Sequence, residues 1–279
     1  MKIAILSGKG GTGKTLLSVN LATVMGDATY IDCDVEEPNG HLFFKPTITA
    51  KKDVAVYLPV QDITKCNGCR KCVDFCKFNA LAYVNKKLVV FDEVCHSCEG
   101  CKMLCETGAI TMRAKPIGVI KEGYHNKNKV NTGILNMGEA SGVPIIKELL
   151  TSCKDENIII DCPPGSACVV MESIRDVDYC VLVAEPTIFG VHNLNMVYNL
   201  VKIFNKKMGV VLNKCIDGEN IAENFCNEHN LNVLGRIEFD KELGKINSNG
   251  EIASEVSSKY RKVFEDIYQN ILREAKWNN

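Results

Sequence analysis

Apolar residues fall along this chain in two rhythms. Short, nearly unbroken apolar runs at residues 2–6, 29–31, 157–160, 181–184 and 210–212 have the length and the lack of alternation of strands covered on both faces. Three other stretches repeat an apolar side chain every three to four positions, the period of a helix with one buried stripe. One runs from the glycine-rich segment at residues 7–15 through Met25. The second, residues 144–150, opens on Pro144, a residue suited to a first helical turn. The third is the stripe of Tyr260, Val263, Phe264, Ile267, Tyr268, Ile271 and Leu272, whose opposite face mixes acids and bases. That mixture predicts a helix packed on the sheet, since a membrane-surface helix carries a basic excess. Residues 118–121 and 130–135 read as strands around a polar turn.

The first strand leads into Ser7-Gly8-Lys9-Gly10-Gly11-Thr12-Gly13-Lys14-Thr15 and then a helix. In the pattern G-x4-G-K-T, glycines let successive backbone N–H groups curl around phosphate oxygens, and the helix N-terminus adds partial positive charge. Lys14 is placed to neutralise the β and γ phosphates, and Thr15 to hold magnesium. The additional lysine at Lys9 makes this loop resemble the deviant P-loop of the MinD/Mrp-type ATPases, a family that includes the nitrogenase iron protein. The likeness covers nearly everything outside the cysteine-rich segment described below. It implies a doubly wound α/β fold with a mostly parallel sheet, ATP and Mg2+ as ligands, and an ATP-dependent homodimer in which Lys9 reaches the partner's nucleotide. By the same resemblance, Asp34 orients the attacking water and Asp32 lies near the magnesium. Asp161, at the end of an apolar strand and followed by Cys162-Pro163-Pro164-Gly165, holds a magnesium-bound water, and Asn213 reads the adenine edge. The nucleotide set is therefore Gly8, Lys9, Gly10, Gly11, Thr12, Gly13, Lys14, Thr15 and Asn213, with Lys9, Lys14 and Asp34 in catalysis and Thr15, Asp32 and Asp161 on magnesium.

Between these segments stand two cysteine quartets, Cys66, Cys69, Cys72, Cys76 and Cys95, Cys98, Cys101, Cys105, each spaced C-x2-C-x2-C-x3-C. Cys95 follows Cys66 by 29 residues, Cys105 follows Cys76 by 29, and Ile110 follows Leu81 by 29, which marks an internal duplication. Such spacing lets a tight loop wrap three thiolates around one corner of an iron-sulfur cube and sends the fourth away on a following helix. Residues 58–115 resemble the two-cluster bacterial ferredoxins, and the resemblance implies a crossed assignment of two 4Fe-4S clusters. One would sit on Cys66, Cys69, Cys72 and Cys105, the other on Cys95, Cys98, Cys101 and Cys76. The proline usual after the fourth cysteine is Lys77 in one half and Glu106 in the other, which bears on potential and solvent exposure, not on ligation. Two zinc sites of four thiolates each are the alternative chemistry.

Composition sets the bounds. At 279 residues, 46% apolar and 24% charged, the chain can bury a full core. A net charge of -1 offers no general basic surface to nucleic acid. No apolar run reaches the eighteen or so residues of a membrane span. Fifteen cysteines, eight of them in metal-type spacing, fit a reducing compartment, and the chain is expected in the cytoplasm. Of the remaining seven, Cys33, Cys153, Cys162, Cys180, Cys215 and Cys226 read as small buried hydrophobes. Cys168 follows Asp161 at the interval of a cluster ligand in the nitrogenase iron protein, and so is a candidate for a cluster bridging the dimer. The expected organisation is an ATPase domain of residues 1–57 and 116–279 with a small α+β ferredoxin domain, 58–115, inserted. The expected function is ATP-gated delivery of electrons or clusters to a metalloprotein or other redox partner, in metallocofactor or iron-sulfur assembly. The rivals are an ATP-driven reductase resembling the nitrogenase iron protein, an Mrp-like cluster carrier and a MinD-like positioning regulator.

Overall fold

The computed structural model describes residues 1–216, 218 and 220–276. In chain order, β1 (Lys2–Leu6) feeds α1 (Lys14–Met25), β2 (Thr29–Asp32) feeds the short α2 (Gly40–Phe44), and β3 (Thr47–Gln61) leads into the cysteine-rich segment. That segment holds α3 (Lys71–Phe75), the hairpin of β4 (Leu81–Val84) and β5 (Lys87–Val90), and α4 (Gly100–Met103). β6 (Ile110–His125) returns and turns into β7 (Asn128–Leu135). There follow α5 (Val143–Ser152), β8 (Ile158–Asp161), α6 (Cys168–Ile174), β9 (Tyr179–Ala184), α7 (Ile188–Ile203) and β10 (Lys207–Cys215). The chain closes with α8 (Ile221–Glu228), β11 (Val233–Glu238), α9 (Lys241–Ser248), α10 (Ala253–Val256) and α11 (Ser258–Lys276).

Among the described residues, nine strands form one sheet in the order β11-β10-β9-β1-β8-β2-β7-β6-β3. It is parallel from β11 to β7, and antiparallel where β6 meets β7 and β3. The unbroken apolar runs are explained by burial on both faces. In β1, Ala4 and Leu6 join a core with Ile145, Val170, Leu194 and Phe225 from α5 to α8. Ile3 and Ile5 join the opposite core with Leu17 of α1 and Phe264, Ile267 and Ile271 of α11. The C-terminal stripe is thus spent inside the protein, as its mixed polar face predicts.

The long ribbon of β3 and β6 departs from the sequence reading. β6 runs unbroken from Ile110, so the strand expected at residues 118–121 is its second half. β3, the sheet edge, is exposed over residues 47–53 and carries Lys51 and Lys52; charged edges block pairing with other chains and also mask the strand signal. Leu58 pairs with Arg113 in the ribbon. The expected limits of the insert therefore fall inside two continuous paired strands, and the cysteine-rich lobe is tied directly into the nucleotide sheet.

Candidate functional site

The loop between β1 and α1 is closed by its own hydroxyls: Ser7 Oγ donates to the Lys9 carbonyl at 2.7 Å and Thr12 Oγ1 to the same oxygen at 3.4 Å. Its glycines have separate reasons. A Cβ at Gly8 would come 2.3 Å from the Asn193 carbonyl of α7. Gly13 has φ +99 and would meet Asn213 Nδ2 at 2.1 Å, whereas beside Gly10 and Gly11 there is nothing within 4 Å. The loop is thus pinned where it touches protein and open where its backbone can approach a phosphate. Lys14 is buried at the start of α1, followed by the half-buried Thr15. Asn213 donates to the Thr12 carbonyl at 2.7 Å. It stands inside β10, not in a turn after it, at a register shift where Lys214 takes φ 58, and such a bulge re-aims side chains.

Asp32 and Asp161 are cross-strand partners on β2 and β8. Asp32 caps the following loop, its Oδ2 accepting from the Asn39 and Gly40 N–H groups at 3.1 and 2.9 Å and its Oδ1 from the Asp34 N–H at 3.2 Å. Burial, reinforced by Asp161, pushes its pKa well up. Asp161 Oδ2 accepts from the Tyr30 hydroxyl at 2.9 Å, and its Oδ1 is buried with no protein partner. An orphaned buried carboxylate oxygen beside a phosphate loop fits a magnesium site, because magnesium takes one or two carboxylates and completes its shell with waters and phosphate oxygens. Among the described residues no group of three or more His, Cys, Asp or Glu is placed to hold a metal ion. Asp34 is raised to about 6, by burial against the opposing pull of Lys14.

Lys9 is turned onto its own chain. It pairs with Glu185 at 2.8 Å, and Lys214 binds the same carboxylate at 2.6 Å while donating to the Gly11 carbonyl at 2.9 Å. Burial opposes ionisation of Glu185, but the bonds from Lys214 and Lys9 outweigh it and hold its pKa below the usual range. Sequence reasoning assigned no role to Glu185, Lys214 or Tyr30. The available signals were an acid at the end of an all-apolar strand and a hydroxyl-bearing ring in a buried one.

The structure gathers the eight clustered cysteines around two cavities, each taking three from one quartet and the fourth from the other. Cys66, Cys69, Cys72 and Cys105 line the first, with Tyr83, Gln61 and Thr107. Cys95, Cys98, Cys101 and Cys76 line the second, with Phe75, Phe78 and Met112. The fourth cysteines are not on helices as the spacing predicts: Cys72 and Cys101 lie in α3 and α4, and Cys76 and Cys105 just beyond their ends. Hydrogen bonding to the Gly68 N–H, then to Gln61 and Tyr83, holds Cys66 below the usual thiol range. Burial pushes Cys101 up to about 11. Of the other cysteines, Cys168 is exposed at the start of α6 and the remaining six are buried.

The family model described as the CobQ/CobB/MinD/ParA nucleotide binding domain matches residues 3–253. Two uncharacterized proteins of Methanocaldococcus jannaschii are each 30% identical to the chain, one over 283 residues, 97% of this chain and 96% of the relative, the other over 262 residues, 90% of each. Among solved structures, the septum site-determining protein MinD complexed with Mg-ADP from Pyrococcus horikoshii is 18% identical with a TM-score of 0.63, over 99% of this chain and 97% of that one. The cell division ATPase MinD of Pyrococcus furiosus is 19% identical with a TM-score of 0.61, over 98% of each chain. At such identities the likeness to solved structures speaks for the fold.

Proposed function

The chain belongs to the CobQ/CobB/MinD/ParA nucleotide-binding family, and on that premise we propose that it is an ATP- and magnesium-dependent switch that gates delivery of electrons or clusters from two 4Fe-4S clusters to a metalloprotein partner. The observation that carries this reading is the pair of four-cysteine cavities at the end of a ribbon continuous with the nucleotide sheet. In the nucleotide half, the open backbone at Gly10 and Gly11 receives phosphate and Lys14 neutralises it. Thr15 and the free oxygen of Asp161 serve magnesium, and Tyr30 fixes the Asp161 carboxylate. Asp34 orients water for in-line attack, a task of positioning and charge. Lys9 acts in trans after leaving Glu185, on a nucleotide held by a second copy.

In the cysteine lobe, the fit to clusters rests on the donors themselves. Zinc draws four sulfurs to about 2.3 Å from one point, whereas here four cysteines are spread over the lining of each cavity. A four-iron cube spreads its attachment points over separate corners, which suits cysteines lining the walls of a cavity. Ser97 lines the second cavity with its hydroxyl buried and unpartnered, as expected beside a polar group that accepts from it. When bound, such a cluster supplies one-electron transfer. From there β6 pairs with β7 and β7 with β2, and the Leu135 N–H at the end of β7 donates to the Val35 carbonyl at 2.8 Å. The segment from Asp34 to Gly40, capped by Asp32, is the element through which the two halves would act on each other.

The likeness to septum-site MinD structures favours a second reading, in which the same nucleotide switch places a partner protein and the lobe only docks it. Iron and acid-labile sulfide in anaerobically purified protein test the first reading, which expects about eight irons per chain. Two zinc ions per chain without visible charge-transfer absorption would leave the positioning reading. Iron lost to an apo-acceptor with each ATP cycle would instead identify a carrier.

A further inference from the structure

We infer that the two cysteine cavities are electronically unequal, so that an electron supplied to the lobe settles at Cys66, Cys69, Cys72 and Cys105 in preference to Cys76, Cys95, Cys98 and Cys101. This deepens the cluster reading above and rests on it. The 29-residue duplication gives residues around one cavity counterparts around the other, so the comparison is made position by position. At the first, the Tyr83 hydroxyl lies 4.0 Å from Cys66 Sγ, the Thr107 hydroxyl 3.6 Å from Cys105 Sγ, and the Ala109 N–H donates to Cys105 Sγ at 3.2 Å. Gln61 lines the same cavity. At the second, the counterpart of Tyr83 is Met112, that of Thr107 is Phe78 and that of Gln61 is Val90. None of these three side chains has a hydrogen-bonding proton. Met112 and Phe78 both line the second cavity, with Pro59, Phe75, Ala80 and Leu81, and Phe78 is stacked on His96 at 3.8 Å.

Donors aimed at ligand sulfur stabilise the extra negative charge of a reduced cluster and raise its potential, whereas an apolar wall disfavours that charge. Formal charge does not decide between the sites. Arg70 and Lys71 line the first and Lys77 and Glu99 the second, but Lys71 pairs with Glu106 and Glu99 with Lys102, which leaves each lining one cation beyond its ion pair. Apart from Lys77, the side chains on the opposing side that carry a hydrogen-bonding proton are Ser97, whose counterpart is Gly68, and His96, whose ring stacks on Phe78 and whose counterpart Asn67 lines the first cavity with an amide of its own. Transfer from the second site to the first moves one electron, oxidising one cluster and reducing the other, with no proton or bond exchanged; the electron enters from a low-potential one-electron donor.

The test is a stepwise dithionite titration of the anaerobic holoprotein, read by electron paramagnetic resonance after its iron has been counted. Two one-electron waves are expected, separated by at least tenfold in occupancy, about 59 mV for a one-electron couple. Tyr83→Phe, which keeps the ring, moves the higher wave down and leaves the lower in place; Ser97→Ala moves only the lower. Fewer than about eight irons per chain overturns the cluster reading and this inference with it. Full iron with coincident waves, or with Tyr83→Phe acting only on the lower wave or on neither, overturns the inference alone.

Discussion

Replacing Glu185 by Gln tests whether the ion pair that holds Lys9 in one protomer restrains the dimer. Glu185 is only 8% exposed, but the side chains of Lys9 and Lys214 are 40% and 46% exposed, so solvent screens both pairs. Each lysine contact is then worth about 0.5–1 kcal/mol. A symmetric dimer withdraws two Lys9 side chains from two Glu185 carboxylates, for a total of about 1–2 kcal/mol, or roughly 5- to 30-fold in the dimer dissociation constant. Glutamine keeps the volume and a carbonyl acceptor and removes the charge. Sedimentation of Glu185→Gln with magnesium and a non-hydrolysable ATP analogue should therefore show a dimer tighter by that factor, with the gain shrinking as salt is added. An unchanged or weaker dimer, in a variant whose nucleotide-free melting temperature matches the parent, refutes the restraint.

Lys14→Ala should lose nucleotide binding, whereas Lys9→Ala should retain it and lose the ATP-dependent dimer and most hydrolysis; a Lys9→Ala protein that dimerises like the parent refutes the trans role. The Asp34 carboxyl, raised from 3.8 to about 6 by burial, must be ionised to orient water, so kcat/KM for ATP should fall as pH drops below about 6. Because the folded state binds that proton more tightly, its contribution to nucleotide-free stability is lost as pH rises from about 4 to about 6 and is not recovered above; a flat kcat/KM from about pH 5 to about pH 8 contradicts the assignment. Cys105→Ser should damage the cluster of Cys66, Cys69 and Cys72 and spare the other, and spectroscopic damage confined to the second cluster refutes the crossed ligand set.

The nucleotide loop was legible because G-x4-G-K-T is a local pattern, although Gly8 and Gly13 are also required by distant Asn193 and Asn213. The buried strands were legible because two-sided burial makes them nearly all apolar, with buried polar residues Asp32, Asp161 and Asn213 at or near their carboxyl ends. What escaped depends on partners far apart in sequence. Glu185 matters because Lys9 and Lys214 converge on it, and Tyr30 because Asp161 stands on the neighbouring strand. β3 was hidden because an edge strand carries lysines where a central one carries valines. Its continuity with the cysteine lobe follows from pairing with β6, some 50 residues away. The cysteine spacing announced two groups of four, while the inequality of their surroundings needed the cavities to show which duplicated positions face them.

The central claim, that nucleotide state and the clusters are coupled, is tested most directly by measuring both cluster potentials in anaerobic titrations with and without a non-hydrolysable ATP analogue. Allosteric coupling of about 1–3 kcal/mol, at about 2.3 kcal/mol per electron per 100 mV, predicts that nucleotide shifts at least one potential by roughly 40–130 mV. By reciprocity, reduction should change ATP affinity by the same free energy. Potentials that do not move, together with equal ATP affinity in oxidised and reduced protein, would contradict the claim and leave the cysteine lobe as a passive docking or storage module.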